Sequence, residues 1–159
     1  MCCHKRRCLF GKIINGIMQL NIAGATVEAV WHNLPHHFSF IELDAFVIMP
    51  NHVHGIIAIG EPQNNIANNQ LLTNQTDSQP PVPKGTTPGS LGSILQNFKS
   101  VSTRRVNRFT RNSGTIWQRN YYEEIIRNEQ AYNNIRRYII ENPLNWENDE
   151  ENLTKFKPI

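Results

Sequence analysis

Two histidines stand one residue apart in "VIMPNHVHGIIAIG", residues 47–60. In an extended strand, residues i and i+2 point to the same side, so His52 and His54 present two imidazoles on one face while Val53 points to the other. Neutral imidazole is the commonest nitrogen ligand of divalent metals. The same pair is equally a set of polar side chains at a strand end, satisfied by hydrogen bonds to its neighbours. Far along the chain, "YIIENP" sets Tyr138 and Asn142 four residues apart, the spacing that places two side chains on one helical face. A phenolic hydroxyl beside a divalent cation is what phosphoryl transfer requires. The cation polarises the phosphate and steadies the leaving oxygen while the hydroxyl attacks. A tyrosine nucleophile forms a phosphotyrosine that keeps the energy of the broken phosphodiester, so the cut can be rejoined. Asn142 offers a carbonyl oxygen to the same cation. The bland account of Tyr138 is a half-buried ring on an amphipathic helix. Tyr121, Tyr122 and Tyr132 compete as nucleophiles. The first two read as sheet packing, and Tyr132 has Arg136, no metal ligand, four places on.

The elements that must carry these residues are legible in outline. Asn15-Gly16 between two apolar runs predicts a hairpin of residues 10–14 and 17–20. Asn21 is positioned to cap a helix through "IAGATVEAVWHNL", with Val27, Val30, Trp31 and Leu34 on its buried face and Pro35 ending it. "HFSFIELDAFVIM" and "HVHGIIAIG" read as two strands joined by a bend at Pro50-Asn51, hence an antiparallel pair. Ser90 is placed to cap a helix whose apolar face carries Leu91, Ile94, Leu95, Phe98, Val101 and Arg105, with Asn97, Arg104, Arg108 and Arg111 largely opposite. "TIWQRNYYEEIIR" reads as extended. "NEQAYNNIRRYIIENP" reads as a last helix, capped by Asn128 and stopped before Pro143. The resulting class is α+β, helices packed on an antiparallel sheet, with a ferredoxin-like arrangement as the natural small-domain solution.

One domain accounts for the 159 residues. Residues 1–60 form its N-terminal half and 90–146 its C-terminal half. Between them, 61–89 is rich in Asn, Gln, Thr and Pro and predicts a mobile, disordered insertion. Residues 147–159 form an acidic tail. No apolar run is long enough for a membrane span. Three cysteines, all within the first eight residues, argue against a disulfide framework and for a reducing, cytoplasmic setting. The net charge is only +3, but basic residues concentrate between Gln96 and Tyr138. Lys99, Arg104, Arg105, Arg108, Arg111, Arg119, Arg127, Arg136 and Arg137 face only Glu123, Glu124 and Glu129 there. Such a patch neutralises phosphates without reading sequence. Lys99, Arg104, Arg108, Arg111 and Arg119 are its candidate DNA contacts, and the opposing account is a solvated helix face. Trp117 has the chemistry to stack on an unpaired base, although a core position explains it more simply.

"ELDAFVIMPNHVHGIIAI", "IWQRNYYEEIIRNEQ" and "YIIENPLNW", in that order, resemble the REP-associated tyrosine transposases. These are relatives of the insertion-sequence tyrosine transposases in the HUH endonuclease superfamily. The resemblance runs from about Cys8 to Trp146, apart from the insertion. It implies a ferredoxin-like fold, and Mg²⁺ or Mn²⁺ held by His52 and His54 with Asn142 completing the shell. It implies that Tyr138 attacks single-stranded DNA, near hairpins, and becomes linked to a 5′ phosphate during DNA transposition and recombination. Members carry a further strand of the type Tyr-Phe-Val-Thr-Ile just before the stretch matching "CCHKRRCLFG". Met1 falls after most of it, so a truncated N-terminal strand is expected.

Two other classes compete. One is a nucleic-acid-binding remnant that keeps the fold without turnover. The other is a metallohydrolase using activated water, which needs further ligands beside the histidines, and only Glu42 and Asp44 are close in sequence. A monomer and a homodimer both suit these features.

Overall fold

Asn15 and Gly16 carry positive φ angles of 51° and 73°, the backbone of a two-residue turn whose twist matches paired strands. They join β1 (Gly11–Ile14) to β2 (Ile17–Leu20) in an antiparallel hairpin. Asn21 follows at once. Its side chain accepts a hydrogen bond from the Gly24 amide and caps α1 (Ile22–His32). Pro35 does not end this helix. α1 stops at His32, and Pro35 stands in the first turn of a short helix α2 (Leu34–His37), where a missing N–H costs nothing. α2 absorbs the first residue of the expected strand, and β3 begins only at Ile41 and runs to Ile48. The description covers residues 1–60, 87–111 and 113–153 of this computed structural model, so nearly all of the expected insertion at 61–89 lies outside the described residues.

β3 pairs antiparallel with β4 (Val53–Ile59), setting Phe46 opposite Gly55, Val47 opposite His54 and Ile48 opposite Val53. Opposed residues share a face, so this register decides what each side of the ladder meets. On the Phe46 side, Trp31 of α1 stacks at 4.3 Å between ring centroids and turns its edge to Phe98 at 5.5 Å. Phe98 belongs to α3 (Leu91–Thr110), capped by Ser90 through the Ser93 amide. Thus α1 and α3 cover one face, and the main core lies between them and the ladder. A Cβ at Gly55 would stand 2.5 Å from Trp31 Cζ2 and 3.0 Å from Phe46 Cδ2. Gly55→Ala should therefore destabilise the fold by about 1–3 kcal/mol through overpacking, read as a drop in the urea midpoint at constant slope.

The buried stripe of α3 is Ile94, Leu95, Phe98, Ser102 and Val106. Arg105, expected on that face, is exposed, because the stripe continues by steps of four from Phe98 through Ser102 to Val106. A buried serine fits because its hydroxyl donates to the Phe98 carbonyl at 2.6 Å and accepts from the Trp117 indole at 2.9 Å. Trp117 is accordingly a core residue, tilted against Phe10 and Phe98. The expected strand around it does not form. Residues 115–127 make only an isolated bridge, Cys3 opposite Trp117. Their backbone bonds go to the first residues of the chain, with the His4 amide on the Ile116 carbonyl and the Gln118 amide on the Cys2 carbonyl. Met1 pairs on the opposite side with Val53 through both of its backbone bonds.

α4 (Glu129–Glu141) is capped by the Asn128 side chain on the Ala131 amide. α4 stops before Pro143, as expected. The chain tightens into a 3-10 helix, Asn142–Asn148, with proline in its first turn. The architecture is α+β, with two two-stranded antiparallel ladders among the described residues and helices packed on them. The single sheet anticipated for a ferredoxin-like arrangement is thus divided, because residues 115–127 bridge to the N-terminus at only one point. No helix among the described residues is long and apolar enough to cross a membrane.

Candidate active site

His52 and His54 lie on the face of the β3–β4 ladder opposite α1 and α3, as the register of Val47 and His54 requires. Their rings meet edge to face with centroids 4.7 Å apart. α4 packs against β3 and β4 on this side. The Tyr138 ring stands 5.4 Å from the His54 ring, also edge to face, and is more than half exposed. Trp146, eight residues on, tilts toward His52 at 6.2 Å. Asn142 comes one helical turn after Tyr138 and one before Trp146, so the two residues bracketing it in the coil touch the two histidines. Asn142 is buried.

The site contains unsatisfied acceptors. Nε2 of His52 and Oδ1 of Asn142 are buried and make no hydrogen bond. A buried polar atom without a partner costs free energy. Burial pulls the His52 pKa down to about 3, reinforced by the positive Met1 terminus. Burial likewise takes His54 to about 3, helped by the charge that His52 would carry and opposed by Asp149. Both imidazoles are therefore neutral at physiological pH, the form that donates a lone pair. Asp149 Oδ2 lies 3.8 Å from His52 Nε2, but a neutral ring makes this a juxtaposition of two acceptors rather than an ion pair. Among the described residues, no three His, Cys, Asp or Glu side chains are gathered so as to hold a metal ion. His52 and His54 offer two neutral nitrogens and Asn142 a neutral amide oxygen.

The competing tyrosines sit elsewhere. The Tyr132 hydroxyl donates to the Asp44 carboxylate, which also takes the Arg136 guanidinium at 3.3 Å. The bond from Tyr132, with desolvation opposing it and Arg136 assisting, holds the Asp44 pKa below its usual value. Asp44 is thereby spent on fastening β3 to α4, and Glu42 is exposed. Tyr122 is 85% exposed and packs in no sheet, contrary to expectation, because its segment forms no strand. Tyr121 lies beneath the Lys99 ammonium at 5.1 Å.

The basic residues do not converge on the histidines. Lys99 donates to the Gln118 and Arg119 carbonyls at 2.9 and 3.1 Å, tying α3 to the following segment. Arg104 and Arg108 are exposed on α3, the helix across the ladder from His54. Arg111, in a left-handed conformation at the end of α3, lines a cavity of about 610 Å³ with Arg7 and Asn107. Arg119 is exposed.

Three residues of this region escaped sequence reasoning. Trp146 continues the four-residue ladder of Tyr138 and Asn142, so its signal was present. Asn51 adjoins His52 and hydrogen-bonds its ring at 2.8 Å, which a search for whatever orients the imidazole finds. Asp149 carries no local signal, because it arrives only when the acidic segment folds back.

A Haemophilus influenzae protein that bears the name "Uncharacterized protein" is 43% identical to this chain over 152 residues, covering 94% of the chain and 81% of that protein. No family model matches the chain, and no solved structure matches it. The chain belongs to the family of this H. influenzae protein.

Proposed function

We propose that the chain is a metal-dependent endonuclease and strand transferase of the tyrosine transposase type, acting on single-stranded or hairpin-bearing DNA. The observation that carries this reading is the packing of Tyr138 against His54, with buried, unsatisfied acceptors on His52 and Asn142. In this reading the Tyr138 oxygen attacks phosphorus, forming a P–O bond to the phenol and breaking the bond to the 3′ oxygen. The phenolic proton passes to solvent, the 3′ oxygen takes one up, and the DNA is left with a free 3′ hydroxyl and a 5′-phosphotyrosine. Bound Mg²⁺ or Mn²⁺ would supply Lewis-acid stabilisation of the phosphate charge. His52, His54 and Asn142 would hold it with lone pairs that need no deprotonation. Tyr138 is exposed enough to meet a strand arriving from solvent. Incubation with labelled hairpin-bearing single-stranded DNA and Mn²⁺ tests the reading, and a covalent protein–DNA adduct is expected.

The alternative of a binding protein without turnover draws support from His52, which is only 1% exposed with Asp149 beside it. That reading predicts DNA retention with no adduct. Under either reading, binding should weaken steeply as salt rises, since phosphate contacts release counterions. Arg104→Ala and Arg108→Ala should each lower the salt slope by about 1 and weaken all sequences alike. Filter binding across a salt series checks this, and unchanged slopes would remove α3 from the interface.

A further inference from the structure

We infer that Asn51 is a positioning residue for the proposed metal site: its amide holds His52 in the tautomer that carries the proton on Nδ1 and leaves Nε2 as a bare lone pair. The inference rests on the proposed function only for the use of that lone pair. The geometry argues it without a metal. Asn51 is fully buried. Its Nδ2 donates to two backbone carbonyls, Glu151 at 2.7 Å and Arg6 at 3.2 Å. Two carbonyl partners identify that end of the amide as the NH₂, because an oxygen there would face two acceptors. The end that meets His52 Nδ1 at 2.8 Å is therefore Oδ1. An amide oxygen only accepts, so Nδ1 must donate. A neutral imidazole has one N–H, and with Nδ1 carrying it, Nε2 has none. This is the buried nitrogen that lacks a hydrogen-bond partner.

The hydrogen bond on one ring nitrogen commonly decides what the other can ligate. Here the amide that does so is held by both ends of the described chain. The Arg6 and Glu151 carbonyls both accept from Asn51 Nδ2, and their side chains form an ion pair at 2.7 Å. Displacing the C-terminal segment would free Asn51 to turn over, and with it the proton on His52.

The test reads the tautomer directly, by long-range ¹H–¹⁵N correlation of the ¹⁵N-labelled wild-type protein near neutral pH, without metal. The expected pattern for His52 is a protonated Nδ1 and a pyridine-like Nε2. The reverse assignment, or an even mixture, overturns the inference whatever the protein binds. Asn51→Leu, close in size and without polar atoms, should lose the single-tautomer pattern and weaken Mn²⁺ binding about ten- to hundred-fold, read by the electron paramagnetic resonance of free Mn²⁺. Should Asn51→Leu fail to fold, the wild-type spectrum still decides the matter. A folded Asn51→Leu with the wild-type spectrum overturns the inference. Wild-type protein that shows the expected tautomer but binds no Mn²⁺ leaves Asn51 its role and defeats the metal reading instead.

Discussion

Replacing Tyr138 by phenylalanine is expected to abolish the covalent protein–DNA adduct while leaving the fold and DNA affinity nearly unchanged. The substitution removes one oxygen. The ring that packs edge to face on His54 at 5.4 Å remains. The residue is 55% exposed, so the stability change should stay within roughly 0.5 kcal/mol. No excess of Mn²⁺ should restore the adduct, because the attacking oxygen itself is gone. His52→Ala should also prevent cleavage, but through lost metal affinity, so added Mn²⁺ should rescue it in part. Tyr132→Phe separates the two tyrosines of α4. It deletes the bond to Asp44 and should retain the adduct. An adduct that survives Tyr138→Phe and disappears with Tyr132→Phe would move the nucleophile to Tyr132, nearer the N-terminus of the same helix. Cleavage without any adduct would support a water nucleophile.

Acid should unfold the protein well above the usual carboxylate range. His52 and His54 are pulled down to about 3 in the folded chain, chiefly by burial, from an ordinary value of 6.5. The unfolded chain binds protons at these sites from about pH 6.5 downward, while the folded chain refuses them until about pH 3. Stability therefore stands at its full value above pH 6.5 and declines as pH falls toward 3. Two histidines acting together should remove several kcal/mol, comparable to the whole stability of a domain of this size. Asp44, whose carboxylate pKa is depressed in the fold, adds a smaller loss below its ordinary value. Melting temperature followed by circular dichroism from pH 7.5 to 4 should fall steeply. His54→Gln, which keeps a neutral polar side chain, should flatten the curve. A melting temperature indifferent to pH across this interval would show that the histidines are solvated.

Local features carried much of this fold. The positive-φ pair Asn15-Gly16, the caps at Asn21, Ser90 and Asn128, and the apolar periods of α1 and α3 depend on near neighbours in the chain, and each stands where its sequence placed it. The departures also have local causes. α4 ends before Pro143 as its sequence predicts, but Pro35 does not terminate α1, because proline is tolerated in a first turn and Pro35 stands in that of α2. The extended segment 115–127 has the residue types of a strand, yet strand formation needs a partner edge, and pairing lies between residues far apart in sequence. Whether Tyr121 and Tyr122 pack on a sheet was therefore beyond any local pattern.

For the site, strand parity placed His52 and His54 on one face, and helical spacing placed Tyr138 in line with Asn142. Both follow from backbone geometry alone, which is why both were legible before any contact was known. That the two faces meet, with Tyr138 on His54 and Trp146 beside His52, was decided by α4 packing on the ladder face left free by α1 and α3. Tertiary structure alone also decided that Lys99 ties backbone carbonyls and that Arg104 and Arg108 lie across the ladder from the histidines. It decided as well that Asn51, Asp149 and Glu151 gather around His52. A side chain's charge or ligating chemistry is written in its residue type. What it spends that chemistry on depends on atoms brought from a hundred residues away and more, and only the folded chain brings them.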